Sequence, residues 1–399
     1  MPSSVRRPPP RCSLLAPCIA LAIAGGCGDD GAAADGDAGD STSAEGTAGS
    51  AGTGATATTQ SADTSGGMGM TASDADTSAG GVDDTTTTAD TGSPGIACID
   101  APFVNGGSPV GNYAESGATI GAHCQGTDHQ DIADIERVVF IGDSVTVGTP
   151  PTGSGDFFRS ILAQSLATQF GLEPPSGQWQ NYNPVGGTAA VQESGAFASC
   201  AVWGARNDDL LTQLESCFTA DDYQQRTLVV FTMGGNDGAA IAKDYLDGVP
   251  LNEVLAELDA MVLAHEQAIE WLVGDAGKFP NGVFVVNANV YEFTDTTFEF
   301  LSCPTAGLAG FNSDAEMPAI LLGSLQHINE EYMRIATEHG TDVVFMSEGF
   351  CGHGFRADDP ESPCYRGPGN ESWFDLTCIH PTAAGHAALA EMFVNVIGG

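Results

Sequence analysis

The chain has little positive charge: its 399 residues include 12 Lys and Arg against 52 Asp and Glu, a formal net charge of −40. A protein whose main partner is nucleic acid or an anionic membrane must neutralise phosphates with basic side chains. The composition therefore argues against both partners. Residues 97–399 are also acidic, with 40 carboxylates and nine basic residues, which is typical of a solvated acidic surface.

Residues 28–96 lack Lys, Arg and every aromatic residue, and consist almost entirely of Gly, Ala, Ser, Thr and Asp. Such a segment cannot bury enough apolar surface to offset the entropy cost of ordering its backbone. We therefore predict a disordered linker over 28–96 and one globular domain over 97–399.

The apolar run near the N-terminus, residues 13–24, is too short to span a bilayer. Three arginines precede it, which is typical of a secretory signal, here placed at 1–27. The run ends in Ala-Gly-Gly-Cys at 24–27, which resembles the lipobox of bacterial lipoproteins. The resemblance implies lipidation of Cys27 and a membrane anchor at the cell surface or in the periplasm. Ordinary cleavage after Ala24, giving a freely secreted protein, is the alternative.

No CxxC pair occurs among the cysteines, which argues against a zinc site. Eight cysteines follow Cys27, and an even number in an exported chain indicates a set of disulfides. Nearest-neighbour pairing predicts four bridges: Cys98–Cys124, Cys200–Cys217, Cys303–Cys351 and Cys364–Cys378.

Apolar runs and helical patterns alternate along the domain. The runs predict strands at 137–141, 228–233, 282–288 and 342–346. Apolar residues at helical spacing predict helices at 157–170, 252–273, 317–339 and 382–397. This alternation indicates an α/β fold with a parallel sheet covered by helices on both faces. Ligands of such folds bind beyond the carboxyl ends of the strands, where the polar clusters 142–144 and 234–237 are expected.

Three residues in these surroundings have side chains suited to acyl transfer. Ser144 follows the first strand in a Gly-Asp-Ser turn, where a helix N-terminus favours developing negative charge. Asn236, in Gly-Gly-Asn-Asp, carries an amide that can donate to an oxyanion. His380, before the last helix, can act as a general base. Each alone is more simply explained as a turn residue, a helix cap or a surface residue.

Together and in this order, the motifs at 141–145, 234–237 and 379–381 resemble blocks I, III and V of the SGNH, or GDSL-type, esterase and lipase family. The resemblance covers about 135–399 and implies a flavodoxin-like three-layer αβα sandwich with a parallel sheet of about five strands. It also implies Ser144 as nucleophile, His380 as base, and Asn236 with the Ser144 backbone N–H in the oxyanion hole.

The block II glycine of the family, another oxyanion donor, has two candidates. Gly204 follows an apolar segment and precedes a helical pattern, and we favour it; Gly187 is the rival. With Gly204, residues 176–198 become an insertion. Trp203 and Arg206 flank Gly204 and could shape substrate binding, although core packing is the simpler interpretation of Trp203. His353 is a further candidate near the C-terminal motif, with a solvated loop residue as its alternative.

The catalytic acid departs from the family pattern D-x-x-H, because Thr377 occupies the position of the Asp. The nearest carboxylate is Asp375, five residues before His380. We predict that Asp375 reaches His380 through a bulge in the chain. Orientation of the imidazole by a backbone carbonyl, in a Ser-His dyad, is the alternative.

The sequence thus predicts an exported serine esterase that acts through an acyl-enzyme on Ser144 and needs no metal or cofactor. The expected partner is a small-molecule or polymer ester, of a lipid or an acylated carbohydrate. We expect a monomer that contacts no nucleic acid and reaches a membrane only through the N-terminal anchor. The alternative is a catalytically weak surface-binding or adhesion protein on the same scaffold.

Overall fold

The computed structural model of the protein describes residues 96–105 and 111–399. The predicted signal at 1–27, the proposed lipidation site Cys27 and residues 28–95 of the predicted linker lie outside the described residues. The described part begins with helix α1, Ile96–Asp100. None of the helices within these two ranges is both long enough and apolar enough to span a membrane.

The described residues contain a six-stranded sheet and a separate two-stranded one. The strands are β1 Arg137–Gly142, β2 Tyr182–Asn183, β3 Thr188–Ala189, β4 Glu193–Ser194, β5 Phe197–Ser199, β6 Thr227–Thr232, β7 Val283–Ala288 and β8 Asp342–Val344. The large sheet has the order β4-β5-β1-β6-β7-β8, and only β4 runs antiparallel to its neighbour. Its five parallel strands have the flavodoxin-like order 2-1-3-4-5, so the predicted fold class is confirmed. The short edge strand β4 is an addition to it.

The two central strands are buried over their whole length. Every residue of β1 and β6 is buried, as expected for apolar strands covered on both faces. The two strands pair in register, from Arg137 with Thr227 to Gly142 with Thr232. They therefore end side by side, and the polar turns that follow them meet at one edge of the sheet.

The helices form two layers around the sheet. They are α2 Ser144–Val147, α3 Phe158–Phe170, α4 Gly177–Gln180, α5 Leu210–Cys217, α6 Gly235–Leu246, α7 Leu251–Val273, α8 Pro318–His339, α9 Met346–Phe350 and α10 Ala383–Gly398. Helix α3 packs against α10, whereas α7 packs against α5, α6 and α8. Because crossovers between parallel strands are right-handed, these two groups cover opposite faces of the sheet.

The strand before Gly204 differs from its sequence-based placement. The apolar stretch 199–202 suggested a strand at those residues. The strand is instead β5, Phe197–Ser199, and its Phe197 pairs with Val138 of β1. The predicted insertion 176–198 therefore includes the start of a sheet strand as well as α4 and β2 to β4. A three-residue strand between a glycine and a cysteine carries too little periodicity to be located from sequence.

Two of the four predicted disulfides are confirmed, Cys98–Cys124 and Cys200–Cys217. The other two predictions are wrong: the bridges are Cys303–Cys378 and Cys351–Cys364. The segment around Cys303 packs against the loop that precedes His380, a contact between residues 75 apart in sequence. Nearest-neighbour pairing fails here because tertiary contact, and not sequence distance, decides which sulfurs meet.

Candidate active site

Ser144 is held at the end of β1 by a tight turn. Gly142 has φ +122°, and a Cβ there would lie 2.3 Å from the carbonyl oxygen of Thr232. Asp143 caps helix α2: its Oδ1 accepts hydrogen bonds from the Val145 N–H at 3.0 Å and the Thr232 hydroxyl at 2.9 Å. Ser144 is the first residue of α2, so its N–H has no acceptor within the helix. The turn thus presents both the hydroxyl and the backbone N–H of Ser144.

Burial at this turn also changes the acidity of Asp143. Removal from water raises the pKa of this carboxyl to about 6, and the hydrogen bond from Thr232 partly opposes the increase. Its Oδ1 joins the turn at Val145 to the end of β6 at Thr232, which makes Asp143 a support for Ser144.

His380 meets Ser144 from the opposite end of the chain. The His380 Nε2 lies 2.9 Å from the Ser144 Oγ, although the two residues are 236 positions apart in sequence. The loop is held by a bridge between Phe374 and Pro381, and Thr382 caps α10 by accepting from the Gly385 N–H at 3.2 Å. Burial lowers the pKa of His380 to about 4, so the imidazole is neutral at neutral pH.

Asp375 does not touch the imidazole of His380. Its Oδ1 accepts two hydrogen bonds from Thr377, from the N–H at 2.7 Å and from the hydroxyl at 2.5 Å. The same Thr377 hydroxyl lies 2.8 Å from the His380 Nδ1. The chain does bulge between Asp375 and His380, with Cys378 at φ +72°, but the carboxylate reaches the imidazole only through Thr377.

Asn236 lies beside Ser144 and also fixes the neighbouring loop. Its side chain lines the same cavity as Ser144 and His380, and its Nδ2 donates to the Ala205 carbonyl at 2.9 Å. One amide hydrogen remains for a ligand, since an amide nitrogen carries two. This hydrogen bond brings the Gly204 turn next to Asn236.

The two candidate block II glycines differ in what their N–H groups do. The Gly187 N–H donates to the Asn183 carbonyl at 2.9 Å within the turn between β2 and β3. Gly204 has φ +76°, and its N–H has no acceptor within the part of the chain that the structure describes. The flanking Trp203 anchors this turn, because its Nε1 donates to the Gly148 carbonyl at 3.0 Å.

The two remaining candidates are placed differently. Arg206 is exposed beside this turn, and its N–H donates to Asp209 at 3.0 Å. His353 stacks on Trp373 with ring centroids 3.6 Å apart, and it is not among the residues that line the cavity. Neither side chain contacts Ser144, His380 or Asn236 in the described structure.

A buried polar network, which no sequence pattern indicated, lies beneath the start of α6. Asp237 accepts from the Asn207 N–H and side-chain amide, at 3.2 and 3.1 Å. The Asn207 Oδ1 in turn meets the Tyr332 hydroxyl and the His265 Nδ1, each at 3.1 Å. Burial raises the pKa of Asp237 to about 7, opposed by the hydrogen bond from the Asn207 backbone. The network ties the Gly204 loop and the start of α6, which carries Asn236, to helices α7 and α8.

A cavity of about 130 Å³ opens beside Ser144 and His380. Its wall is mostly apolar, with residues of α8 on one side and the segment between β7 and α8 on the other. Four phenylalanines of that segment line it: Phe293, Phe298, Phe300 and Phe311. The rings of Phe300 and Phe311 stack with centroids 4.4 Å apart. The sequence could have indicated this wall, because these four phenylalanines lie within 19 residues between a strand and a helix.

None of the curated proteins matches this chain. Among solved structures, phospholipase A1 from Streptomyces albidoflavus is similar at 18% identity, with 65% of this chain and 98% of that one covered and a TM-score of 0.40. The extracellular lipase of Streptomyces rimosus is similar at 18% identity, covering 65% and 99%, also with a TM-score of 0.40. A carbohydrate acetylesterase from Sinorhizobium meliloti is similar at 13% identity, covering 66% and 98%, with a TM-score of 0.36.

A family match identifies the chain more directly. The GDSL-like lipase/acylhydrolase family matches residues 140–388, which is more than half of the chain. The matched range contains Ser144, Asn236 and His380, the three residues of the predicted motifs that line one cavity. The chain belongs to the GDSL-like lipase/acylhydrolase family.

Proposed function

We propose that the protein is a serine esterase that hydrolyses carboxylic esters of acyl lipids through an acyl-enzyme on Ser144. The observation that carries this proposal is the 2.9 Å contact between the Ser144 Oγ and the His380 Nε2 beside an apolar cavity. A neutral imidazole at this distance can accept the hydroxyl proton while the oxygen attacks an ester carbonyl.

The proposed reaction has two mirrored halves. The Ser144 Oγ attacks the carbonyl carbon, and its proton passes to the His380 Nε2. The imidazolium then gives this proton to the leaving alcohol as the carbon–oxygen bond breaks, which leaves the acyl group on Ser144. Water attacks the acyl-enzyme while His380 takes its proton, and the proton returns to Ser144 as the carboxylic acid departs.

The oxyanion of each tetrahedral intermediate needs donors aimed at one point. We assign this role to the N–H groups of Ser144 and Gly204 and to the side-chain amide of Asn236. Two features support the set: the Gly204 N–H has no acceptor among the described residues, and the Asn236 bond to the Ala205 carbonyl holds the two donors together. Donors fixed before the reaction stabilise developing charge without reorganisation.

The cavity favours an acyl chain over an acetyl group as the substrate moiety. Its wall consists mainly of phenylalanine, leucine and isoleucine side chains, which suit a hydrocarbon chain. Exposed leucines lie on the segments that carry the wall and Asp375: Leu301 is 53%, Leu308 56% and Leu376 70% exposed. Exposed apolar side chains near a site of this kind suit contact with a lipid. The acidic surface repels an anionic lipid, so a neutral lipid is favoured.

The proposed location is outside the cytoplasm, on a lipid anchor at Cys27. The four disulfides are compatible with an exported protein. Membrane fractionation of a Cys27→Ala variant tests the anchor, and unchanged membrane association would overturn it.

Hydrolysis of p-nitrophenyl esters of increasing acyl length tests the enzymatic proposal on the full chain. We expect Ser144→Ala to abolish hydrolysis and Asn236→Ala to lower kcat by about 100- to 1,000-fold, as for the loss of one oxyanion donor. Ser165→Ala is the matched control, because this serine donates only to a carbonyl within α3 and should leave hydrolysis intact.

The other outcomes separate the alternatives. Hydrolysis that survives Ser144→Ala would contradict the nucleophile assignment. Activity restricted to acetate would favour an acetylesterase, whereas a chain inert at every acyl length would favour the surface-binding protein.

A further inference from the structure

We infer that Thr377 is a positioning residue: its hydroxyl accepts the Nδ1–H of His380 and donates its own hydrogen to Asp375. The inference rests on the proposed function, because His380 is the base of that reaction. It replaces direct contact between acid and base by a four-residue chain from Ser144 through His380 and Thr377 to Asp375.

The direction of each hydrogen bond follows from counting donors. A threonine hydroxyl carries one hydrogen and two lone pairs, and a carboxylate only accepts. The 2.5 Å contact between Thr377 Oγ1 and Asp375 Oδ1 therefore uses the threonine hydrogen. At 2.8 Å from the His380 Nδ1, the same oxygen must accept, so Nδ1 carries the proton. This tautomer leaves a lone pair on Nε2, which faces the Ser144 hydroxyl as a general base requires.

The same tautomer holds when Asp375 is protonated. Burial raises the pKa of Asp375, opposed by the hydrogen bond from the Thr377 hydroxyl. Its Oδ1 already accepts from Thr377, whereas its buried Oδ2 has no hydrogen-bond partner among the described residues. A proton on this carboxyl would sit on Oδ2, and Oδ1 would remain the acceptor for Thr377.

The backbone brings Thr377 to this place by folding back after Asp375. The Cys378 N–H donates to the Asp375 carbonyl at 3.0 Å, and the Asp375 N–H donates to the His380 carbonyl at 2.9 Å. This closed turn holds the carboxylate away from the imidazole and points the hydroxyl of the intervening residue at both. A five-residue separation between acid and base thus becomes workable with a hydroxyl between them.

The inferred chain moves only one proton. During attack the Ser144 proton passes to Nε2, the Nδ1–H stays on His380, and the Thr377 hydrogen stays on Thr377. The imidazolium charge is stabilised by the Thr377 hydroxyl, whose oxygen is made a better acceptor by its own bond to Asp375.

Three variants of the full chain test the inference. We expect Thr377→Val to lower kcat by about 100-fold or more with KM nearly unchanged, since the imidazole loses its orientation but the substrate contacts remain. Thr377→Ser keeps a hydroxyl and should retain kcat within about tenfold of the unmodified chain. Thr305→Val is the matched control. The Thr305 hydroxyl donates to the carbonyl of Leu376, which lies next to Thr377 in the loop, but it does not reach His380. It should leave kcat unchanged.

Proton NMR adds a readout that does not depend on turnover. The Nδ1–H of His380 should give a downfield resonance that Thr377→Ser retains and Thr377→Val loses. If the unmodified chain is inert but this resonance depends on the Thr377 hydroxyl, the esterase proposal fails and the hydrogen-bond chain stands. If Thr377→Val keeps kcat, or loses it equally with Thr305→Val, the inference is overturned.

Discussion

His380 determines how activity should depend on pH. Burial lowers the pKa of His380 to about 4, below the value of about 6.5 for a solvated imidazole. A general base works only when neutral, so the imidazole is competent at every pH above its own pKa. We therefore expect the acid limb of kcat/KM that belongs to His380 to lie near pH 4.

The measurement is hydrolysis of p-nitrophenyl butyrate between about pH 3 and pH 8, with the released nitrophenol separated by chromatography. Circular dichroism over the same range shows whether the chain stays folded, which is the necessary control. An acid limb near pH 6.5 would contradict a buried, neutral His380.

Some residues of the site could be predicted from the sequence and others could not. Ser144 and Asn236 follow buried strands and His380 precedes the last helix, so local motifs identify all three. Thr377 was noticeable only as the residue in the acid position of D-x-x-H. Its contacts could not be predicted, because they depend on how the turn after Asp375 folds back, and on φ +72° at Cys378.

At the scale of the elements, the loop that carries Asp375, Thr377 and His380 lies outside every named helix and strand. The Cys303–Cys378 disulfide attaches it to the wall of the cavity. We expect the double variant Cys303→Ala/Cys378→Ala to lower kcat, because the loop can then move relative to Ser144. Removing the cross-link should also cost about 2–5 kcal/mol of the free energy of unfolding.

The matched control is Cys98→Ala/Cys124→Ala, which removes a bridge in the N-terminal segment. This bridge spans 26 residues against 75, so loop-closure entropy predicts a loss smaller by about 1 kcal/mol. The kcat of the Cys98→Ala/Cys124→Ala variant should stay unchanged. Urea unfolding and ester hydrolysis of both variants give the comparison, and equal kcat in the two would show that the disulfide at Cys378 does not position the loop.

The elements of the sheet could be predicted because their residues are uniformly apolar. The segment between β7 and α8 could not, since it lacks any regular period. Two carboxylates hold it: the half-buried Glu292 accepts from the Thr294 hydroxyl at 2.6 Å, and the buried Asp295 accepts from the N–H groups of Gly352 and Gly354 at 2.8 and 2.9 Å. Burial raises the pKa of Glu292 to about 7. The partners of Asp295 are 57 and 59 residues away in sequence, so this acceptor gives no local sequence signal.

The whole molecule carries a formal net charge of −40, and its basic residues cannot balance the acidic ones. Repulsion among like charges disfavours the compact state, and dissolved salt screens it over about 10 Å at 0.1 M ionic strength. We expect the Tm at about pH 8 to rise as NaCl increases from about 0.05 to 1 M.

Differential scanning calorimetry measures this rise, with sucrose at matched osmolality as the control for general effects of cosolutes. The increase should shrink near pH 4, where many of the carboxyls are protonated. A Tm that is insensitive to NaCl at about pH 8 would contradict this expectation. It would show that repulsion between carboxylates is already offset by local ion pairs, such as Arg334 with Glu266.

The sequence by itself determined the α/β class, a parallel sheet covered on both faces and the three motif residues at its edge, whereas the flavodoxin-like order came from the resemblance to the SGNH family. These depend on local patterns: buried strands must be apolar, and the turns after them need glycine and polar side chains. Only the tertiary structure decided the bridge from Cys303 to Cys378, the phenylalanine wall and the place of Thr377 between His380 and Asp375. Each of these depends on which distant segments pack together, and packing selects those contacts by shape and burial.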